Sequence, residues 1–488
     1  MNRFVMGIAF LSLCLTAATA GAQEPNRPLP HRWVYVATNL LVDKNVTETT
    51  ALFERSAKAG YNGIVLADSK FLRWDNLPER YAQNVRKVRE EARRLKLDLV
   101  ACVFPIGYAE GLLAHDPNLA EGLPVKDAPF VVKGGWLVAA DDSCRLANGG
   151  FEEYRGNAPA GWAWADKPGE ISFIDAQTVH GGKASLRMQD IDKFDPKNGH
   201  GRLMQKLTVA PFRYYHVSAW AKTEGFTAAG EFRVQVLAGK RSLNYAAAGL
   251  APTQDWKQLH ATFNSLDCNE VNLYLGVWGG KGGEVWLDDV KVEPAGLVNL
   301  VRRAGAPFSA RSEDGKTEYV EGRDFAPAVD PLMGSKPWAG SYSVWHEEPA
   351  IAVPAGSRLK EGQKVLLSYC HTAIIDHSQV MCCMNEPRVY EILDWQAREM
   401  KKNVAPDGWF MQHDEIRVQG WDDSCVKSGR SPGQTLTENV KRCTEILRKH
   451  DGKGAVYVWS DMFDPFHNAK KTDPYYLVKG DGPWQGSW

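Results

Sequence analysis

The sequence predicts an α/β chain: a (β/α)8-type TIM barrel, incomplete at its C-terminal end and interrupted by an inserted all-β sandwich. Two observations predict this fold. Strand and helix patterns alternate near both ends of the chain, as they do in a parallel sheet. Between them lies a region with a hydrophobic period of two and no helical windows. The predicted divisions are 31–140 and 364–488 for the barrel, 146–295 for the sandwich and 296–363 for an irregular connection.

The N-terminal part of the barrel is predicted from apolar runs that alternate with amphipathic helices. The expected strands are Arg32–Asn39, Tyr61–Ala67 and Leu97–Phe104, and the expected helices are Thr47–Ala59 and Leu77–Leu95. The carboxyl ends of parallel barrel strands meet at one face, where ligands bind. The residues that follow these strands should therefore surround one mouth: Thr38-Asn39, Asp68-Ser69 and Pro105–Tyr108.

A Gly- and Pro-rich segment, 110–129, ends this pattern and is predicted to be a loop. The strands expected after it are Glu170–Asp175, Tyr214–Ala221, Glu231–Leu237, Gln258–Phe263, Val271–Val277 and Glu284–Val292. Turns recur between them at the spacing of an antiparallel sandwich. A β-ribbon near Lys316–Val320 is the one element expected in the irregular connection.

The α/β pattern then returns. Strands are predicted at Lys364–Cys370, Trp409–Ile416 and Ala455–Trp459, and helices at Pro387–Lys402 and Leu436–His450. The barrel would then have about six strands, whereas a closed barrel has eight and about 250 residues. We therefore expect that one or two terminal strand–helix units are missing from this sequence.

Residues Met1–Ala22 are typical of a secretory signal, with Arg3 before the apolar run Phe4–Leu15 and a small-residue cleavage site at Ala20–Ala22. The apolar run is too short to span a membrane. These features predict a secreted or periplasmic protein without a transmembrane segment. The formal net charge of −1 gives no reason to expect nucleic acid or an anionic membrane as a partner.

Eight cysteines follow the predicted signal, and none forms a CxxC pair, which argues against a zinc site. Export would permit disulfides, but the sequence does not determine their pairing. Buried free thiols are the alternative.

The strand Trp409–Ile416 contains the most informative motif of the chain. An apolar run ends there in Gln412, His413, Asp414 and Glu415, which is how a buried parallel strand that opens into a pocket is expected to end. Adjacent carboxylates at such a position can act together in acid–base chemistry.

The inserted region resembles the carbohydrate-binding modules of the family 4/9 jelly-roll type. The resemblance rests on Asn148–Glu152, Pro159–Trp162, His180–Leu186, Tyr215–Trp220 and Val285–Val290. It implies a jelly-roll sandwich that either binds sugar or serves as a packing module. It also implies a structural calcium ion with Glu152 and Asp289 as side-chain ligands.

The C-terminal part resembles glycoside hydrolase family 20, the β-N-acetylhexosaminidases, through Gln412–Glu415, Gly420-Trp421 and Trp459–Met462. It departs from the family where Gln412-His413 replaces two glycines. The resemblance implies an exported glycoside hydrolase acting on an oligosaccharide or polysaccharide, with no catalytic cofactor. Glu415 would be the general acid, and Asp414 would orient the 2-acetamido group of the substrate, which attacks the anomeric carbon. The substrate-binding candidates are His413, Arg417, Trp459, Asp461 and His371.

Two alternatives remain open from the sequence. The chain could be a carbohydrate-binding protein without catalytic activity. It could also be a retaining glycosidase that uses Glu386 of the Asn385-Glu386-Pro387 motif, which would need a second carboxylate about 5–5.5 Å away. Because Glu386 precedes an amphipathic helix, a role at the helix start is the competing interpretation of this residue.

Overall fold

The structure is a computed structural model that describes residues 29–245, 247–375, 379–464, 466–467 and 474–480. The predicted signal, Met1–Ala22, lies outside these residues. None of the helices in the described part has the length and apolar character that a membrane-spanning helix requires.

The N-terminal region forms the strand–helix alternation that the sequence predicts. Its elements are β1 (Trp33–Ala37), α1 (Asp43–Lys58), β2 (Gly63–Ala67), α2 (Glu79–Arg94), β3 (Asp98–Val103) and the short α3 (Glu110–Leu113), with 3-10 turns at Ser69–Leu72, Trp74–Asn76 and Pro117–Leu119. The helix α1 buries Val46 and Phe53, which lie on one face because their spacing matches two helical turns.

Two strands then form where the sequence predicts a loop or the end of the first barrel segment: β4 (Gly122–Lys133) and β5 (Trp136–Ala139). Pro124 and Pro129 lie within β4 and weaken the strand signal, since proline cannot donate to a ladder. The structure tolerates them beside a register shift in the pairing of β4 with a later strand. The prediction of a loop at 110–129 is therefore wrong for its second half.

The next region is a sandwich of two five-stranded antiparallel sheets. A short ribbon, β6 (Tyr154–Arg155) and β7 (Ala158–Pro159), precedes the ten strands of these sheets. These strands are β8 (Trp164–Ala165), β9 (Ser172–Asp175), β10 (Ser185–Gln189), β11 (Gly201–Thr208), β12 (Tyr214–Glu224), β13 (Phe232–Ala238), β14 (Arg241–Ser242), β15 (Gln254–Asn264), β16 (Glu270–Val277) and β17 (Glu284–Pro294), with a 3-10 turn at Ala229–Glu231. One sheet has the order β15-β12-β17-β10-β9, and the other β14-β13-β16-β11-β8. Alternate residues of both sheets fill the core between them.

The segment predicted to be irregular contains β18 (Leu300–Val301), β19 (Ser309–Ser312), β20 (Glu318–Tyr319), a 3-10 turn at Pro331–Met333 and β21 (Ile351–Ala352), and β22 (Lys364–Thr372) follows it. Together with β4 and β5 these strands form an antiparallel sheet. The predicted strand Lys364–Cys370 therefore exists, but it pairs antiparallel with β4 and is not a barrel strand. A buried apolar run has the same appearance in either kind of sheet.

The C-terminal elements are α4 (Pro387–Asn403), β23 (Gly408–Met411), β24 (Val418–Gln419), α5 (Asp423–Lys427), α6 (Pro432–His450), β25 (Ala455–Val458) and β26 (Leu477–Val478). The helix α6 begins at a capping box in which Ser431 and Gln434 satisfy each other's backbone N–H groups.

The parallel sheet has the order β1-β2-β3-β23-β25, with every neighbouring pair parallel. Within the described residues it has five strands, so the complete eight-stranded barrel is not formed there. One face packs against the helices through residues such as Ile64 and Trp409. The other carries Val65, Val100 and Cys102 beside partly exposed aromatic rings. All its carboxyl ends meet at one edge, where the candidate site lies.

Candidate functional site

The Asp414-Glu415 pair lies immediately beyond β23, at the carboxyl-end edge of the parallel sheet. The Gln412 N–H donates to the Val103 carbonyl at 2.8 Å, and the Gln412 carbonyl accepts the Ile106 N–H at 3.1 Å. These two bonds continue the pairing with β3 past the end of the strand. Glu415 then adopts φ +50°, a left-handed conformation that turns the chain. Such a conformation is strained in a residue with a side chain, and strained residues cluster at functional sites.

The carboxylate of Glu415 is held by two partners. Its Oε1 forms an ion pair with the Arg417 guanidinium at 2.8 Å, and its Oε2 accepts a hydrogen bond from the Tyr108 hydroxyl. Arg417 is fixed in turn by Gln379 Oε1 at 2.9 Å and by the ring of Tyr476, 4.6 Å from the guanidinium carbon. Glu415 therefore has a fixed orientation and a cationic neighbour.

Asp414 is in a different environment. Burial raises its pKa to about 6, and the nearby carboxylates of Asp461 and Glu415 add to the rise. Its Oδ1 is buried and has no hydrogen-bond partner among the described residues. Asp461 also accepts a hydrogen bond from the Glu415 backbone N–H, so three carboxyl groups meet at this strand end. A carboxyl group with a pKa near 6 can hold and release a proton under mild conditions.

A cavity of about 370 Å³ opens beside this cluster, at the ends of β1, β2 and β3. Its polar and aromatic lining includes Tyr35, Thr38, Asp68, Ser69, Tyr108, Glu110, Gln396 and Gln412. The predicted mouth of strand-end residues is confirmed for Thr38, Asp68-Ser69, Pro105 and Tyr108. Two lining residues connect this cavity to the carboxyl groups: the Tyr108 hydroxyl donates to Glu415, and Gln412 lies two residues before Asp414.

Two residues that line the cavity, Glu110 and Tyr35, were not predicted from the sequence. Burial raises the pKa of Glu110, which begins α3, the helix that follows β3. Its position was a usable signal, because the loops between barrel strands and the helices that follow them line the mouth. Tyr35 lies two residues before the end of β1, so its side chain points to the same face as the strand's last residue.

Two of the predicted substrate-binding residues lie away from the cavity. His413 is fully buried against α6, where its Nε2 is 2.7 Å from Asn439 Oδ1, and burial lowers its pKa to about 4. Because side chains alternate along a strand, His413 faces the helices while Gln412 faces the cavity. The prediction of His413 as a pocket residue is therefore wrong.

The prediction of His371 as a pocket residue is also wrong, because β22 belongs to the antiparallel sheet. His371 is buried where that sheet meets the sandwich. Its ring stacks on Tyr214 at 3.5 Å between centroids, and its Nε2 is 3.0 Å from Asn264 Nδ2. Burial lowers the pKa of His371 to about 3.

Trp459 lies directly after β25 and is 36% exposed. Its ring contacts Phe410 edge-on at 4.7 Å and Tyr35 at 5.8 Å. Arg417 and Asp461 both contact Glu415, so the structure brings these predicted residues together with Asp414, and Trp459 stands nearby on the open face of the sheet.

Glu386 occupies the N-cap position of α4 and is paired with Arg303 Nε at 2.9 Å and with the Ser424 hydroxyl. Its side chain is 12% exposed. Glu386 thus lies at the start of the helix, as the competing interpretation expects, but its carboxylate binds Arg303 and Ser424 and makes no capping hydrogen bond to the helix.

The sandwich carries its own candidate ligand surface, on the outward face of the sheet that contains β8, β11, β13 and β16. Directly paired residues of neighbouring strands form one row of side chains across this face. In order, the row is Trp164, Met204, Tyr274 and Gln235. Trp278 stands 5.8 Å from Tyr274 between ring centroids. A cavity of about 560 Å³ at this face is lined by Trp278, Tyr245, Arg233, Gln235 and Asn244 among others.

The predicted calcium ligands lie together at another edge of the sandwich. Glu152 Oε1 accepts the backbone N–H of Lys183 at 2.7 Å, and Asp289 Oδ2 is 2.7 Å from His180 Nδ1. Both carboxylates contact the turn Gly181-Gly182, where a Cβ would collide with them. An oxygen-rich turn of this kind fits calcium. The ion stays a prediction.

The comparisons with known proteins identify the sandwich. Residues 145–282 match the carbohydrate binding domain family CBM_4_9. No curated protein sequence matches the chain.

Three solved structures illustrate the structural similarity. A family 61 module, TmCBM61, in complex with β-1,4-galactotriose is 17% identical, covers 30% of this chain and 97% of its own, and has a TM-score of 0.24. A CBM4 structure is 22% identical, with 31% and 99% coverage and a TM-score of 0.22. A rhamnosidase from Novosphingobium sp. PP1Y is 12% identical, with 88% and 46% coverage and a TM-score of 0.25.

The family match agrees with the predicted resemblance of the insert, whereas the resemblance of the barrel to family 20 stays a prediction. Residues 145–282 form a carbohydrate binding domain of the 4/9 type.

Proposed function

We propose that this chain is an exported carbohydrate-active protein that holds a glycan on the aromatic face of its sandwich. The match of residues 145–282 to the carbohydrate binding domain family carries this proposal. The row Trp164, Tyr274 and Gln235 supports it, because aromatic faces pack against sugar rings while neighbouring amides and guanidinium groups bind their hydroxyls. Arg202 lies over the Trp164 ring, 4.5 Å from its centroid, and is held by Asp166 at 2.8 Å.

Isothermal titration of the full chain with soluble polysaccharides tests this proposal. Trp164→Ala and Trp278→Ala should each weaken binding at least about tenfold, the loss typical of a tryptophan at the centre of an interface. Trp136→Ala is the matched control, since Trp136 is 47% exposed on β5, outside the sandwich. Binding that survives both sandwich variants, or that fails with Trp136→Ala, would place the ligand elsewhere.

A specific observation favours a second function, hydrolysis of a glycosidic bond. Three carboxyl groups, those of Asp414, Glu415 and Asp461, converge beside the strand-end cavity, and Asp414 has a raised pKa. Glycoside hydrolysis needs one carboxyl group that donates a proton to the leaving oxygen and a second carboxylate or substrate group that stabilises the positive charge at the anomeric carbon.

The environments of the two carboxyl groups favour an assignment opposite to that implied by the family 20 resemblance. Asp414 is the better proton donor, because burial and two carboxylate neighbours favour its protonated form. Glu415, oriented by Arg417 and Tyr108, then supplies fixed negative charge or positions a 2-acetamido group. The original assignment, with Glu415 as the acid, is the alternative that the experiment must exclude.

The experiment compares p-nitrophenyl glycosides, with and without a 2-acetamido group, with oligosaccharides of the same sugar. Asp414→Asn should reduce kcat/KM on oligosaccharides by about 10²–10⁴. Its effect on p-nitrophenyl glycosides should be smaller, because p-nitrophenolate leaves without protonation. Glu415→Gln should impair both kinds of substrate.

Glu386→Gln is the control and should retain activity. Activity that survives Asp414→Asn and Glu415→Gln but is lost in Glu386→Gln would move the site to the Asn-Glu-Pro motif. A larger loss of kcat/KM on oligosaccharides in Glu415→Gln than in Asp414→Asn would support Glu415 as the general acid, as the family 20 resemblance implies. Sugar binding with no cleavage of any substrate would leave the chain as a carbohydrate-binding protein.

A further inference from the structure

A buried cluster of four potential metal ligands lies outside both candidate carbohydrate sites. Glu121 precedes β4, Cys383 lies shortly before α4, and Asp422 and Cys425 belong to the first turn of α5. All four residues are at most 4% exposed. One donor atom from each can be chosen so that all four lie within 4.8 Å of one another.

The distances within this cluster match a tetrahedral metal site. Cys383 Sγ and Cys425 Sγ are 3.7 Å apart, Cys425 Sγ is 3.3 and 3.4 Å from the Glu121 carboxylate oxygens, and Cys383 Sγ is 3.7 Å from Asp422 Oδ1. A zinc ion with bonds of ~2.3 Å to sulfur and ~2.0 Å to oxygen has tetrahedron edges of ~3.8 Å between two sulfurs and ~3.5 Å between sulfur and oxygen. The protein thus presents four donors at nearly the spacing that zinc requires.

The negative charge around the cluster also favours binding of a cation. Asp422 pairs with the Arg303 guanidinium, but Glu386 pairs with the same guanidinium at 2.9 Å. Asp422 and Glu386 therefore share one arginine in a buried region that also contains Glu121, and buried carboxylates are costly unless they are paired or bound to a metal. A divalent ion would supply the missing charge.

The groups around the cluster orient its donor atoms. The Asn385 side-chain amide donates to Cys425 Sγ at 3.2 Å, the Gly420 N–H donates to Glu121 Oε1 at 2.9 Å, and the Cys425 N–H donates to Asp422 Oδ1 at 3.0 Å. Hydrogen bonds of this kind hold the ligands of metal sites in place and favour thiolate over thiol.

We propose that Glu121, Cys383, Asp422 and Cys425 bind a structural zinc ion. Four protein ligands fill a tetrahedral shell and leave no position for substrate, which is the arrangement of structural rather than catalytic zinc. The ion would join three segments that are distant in the sequence: the start of the antiparallel sheet, the approach to α4 and the first turn of α5. Because no CxxC pair is involved, spacing alone could not reveal the site.

The competing state is a disulfide between Cys383 and Cys425, which export would permit. A disulfide would bring the two sulfur atoms to about 2.05 Å. It would also leave Glu121 and Asp422 buried without a metal, so the convergence of the two carboxylates on the thiols favours zinc.

The test uses the full chain purified without chelators. We expect about one zinc per chain by mass-spectrometric metal analysis, and an intact mass that shows Cys383 and Cys425 reduced. Replacement of zinc with Co²⁺ should produce the intense visible bands of tetrahedral cobalt and a thiolate charge-transfer band. These measurements need no variant and do not depend on any glycosidase activity.

Variants then assign the ligands. Cys383→Ala and Cys425→Ala should lose the metal, whereas Cys382→Ala, a buried cysteine directly beside the cluster, should keep it. Asn385→Ala should fold and weaken zinc binding about 10- to 100-fold. A Cys383–Cys425 disulfide, or reduced thiols that take up neither Zn²⁺ nor Co²⁺, would overturn the proposal.

Discussion

The backbone N–H of Glu415 donates a hydrogen bond to Asp461 Oδ2 at 3.2 Å. This contact joins the turn after β23 to the end of β25, and it brings the Asp461 charge close to Asp414. The negative charge of Asp461 is one of the causes that raise the pKa of Asp414. The two neighbouring strands therefore determine together how readily the site holds a proton.

Asp461→Asn should lower the pKa of Asp414, because the amide keeps an oxygen that can accept the Glu415 N–H but carries no charge. If Asp414 is the proton donor, the basic limb of the pH dependence of kcat/KM should move to lower pH. The titration of Asp414, followed by carboxyl carbon NMR, should move in the same direction. An unchanged titration would show that Asp461 does not act on Asp414.

Asp414→Asn should stabilise the protein at neutral and alkaline pH. The pKa of Asp414 is raised in the folded state from an ordinary value of 3.8 to about 6. The folded state therefore binds more protons between these values, and the free energy of unfolding falls as pH rises through 6. Removing the ionisable group should recover up to about 3 kcal/mol above that pH.

Urea unfolding of wild type and Asp414→Asn at pH values below 4 and above 7 measures this effect. The gain should be present at the higher pH and absent at the lower. Asp142→Asn is the control, since this side chain is 83% exposed and ion-paired at the surface. An equal gain at both pH values would attribute the effect to packing.

The sequence was sufficient to predict the parallel strands around the site. β2 and β23 are apolar runs followed at once by polar residues, and β3 is an apolar run that follows a long amphipathic helix. It was also sufficient to place Asp414 and Glu415 at a strand end. It was not sufficient to place His371, because a buried apolar strand such as β22 shows no difference between parallel and antiparallel pairing.

The environments of Asp414 and Glu415 were beyond sequence reasoning for a different reason. They depend on Tyr108, Arg417 and Asp461, which come from three strand ends and are brought together by tertiary packing. The cluster around Cys383 and Cys425 is even less accessible to sequence analysis, because its four residues range from Glu121 to Cys425. A local motif cannot contain such a site.

Gly107→Ala should damage the site through the backbone. A Cβ at this position would collide with the carbonyl oxygen of Asp414, and Gln379 bonds both the Gly107 and the Glu415 carbonyl groups at 3.0 Å. The turn that carries the two carboxyl groups would have to move. We expect a loss of about 1–3 kcal/mol of stability, the usual cost of overpacking, and reduced activity.

Gly230→Ala provides the matched control. Gly230 has no atom within 4 Å of its potential Cβ, so the alanine should be close to neutral. Thermal unfolding of the two variants beside wild type distinguishes a steric effect at Gly107 from a general effect of glycine replacement. Wild-type stability in Gly107→Ala would mean that the Asp414 turn can shift without cost.

Calcium should stabilise the sandwich through Glu152 and Asp289. Both carboxylates contact the Gly181-Gly182 turn. Glu152 accepts the Lys183 and Ala184 N–H groups through Oε1, and Asp289 contacts His180 Nδ1 through Oδ2, so the second oxygen of each carboxylate is left for a cation. Adding calcium to protein treated with a chelator should therefore raise the midpoint of thermal unfolding by mass action.

Glu152→Gln and Asp289→Asn should abolish the rise, whereas Glu153→Gln, which changes the adjacent exposed carboxylate, should retain it. A rise that persists in Glu152→Gln and Asp289→Asn would place the calcium site elsewhere. Cys383→Ala should also retain the rise, because calcium prefers oxygen ligands and does not depend on a thiol. Loss of the rise in this variant would attribute the response to the cluster around Cys383 and Cys425.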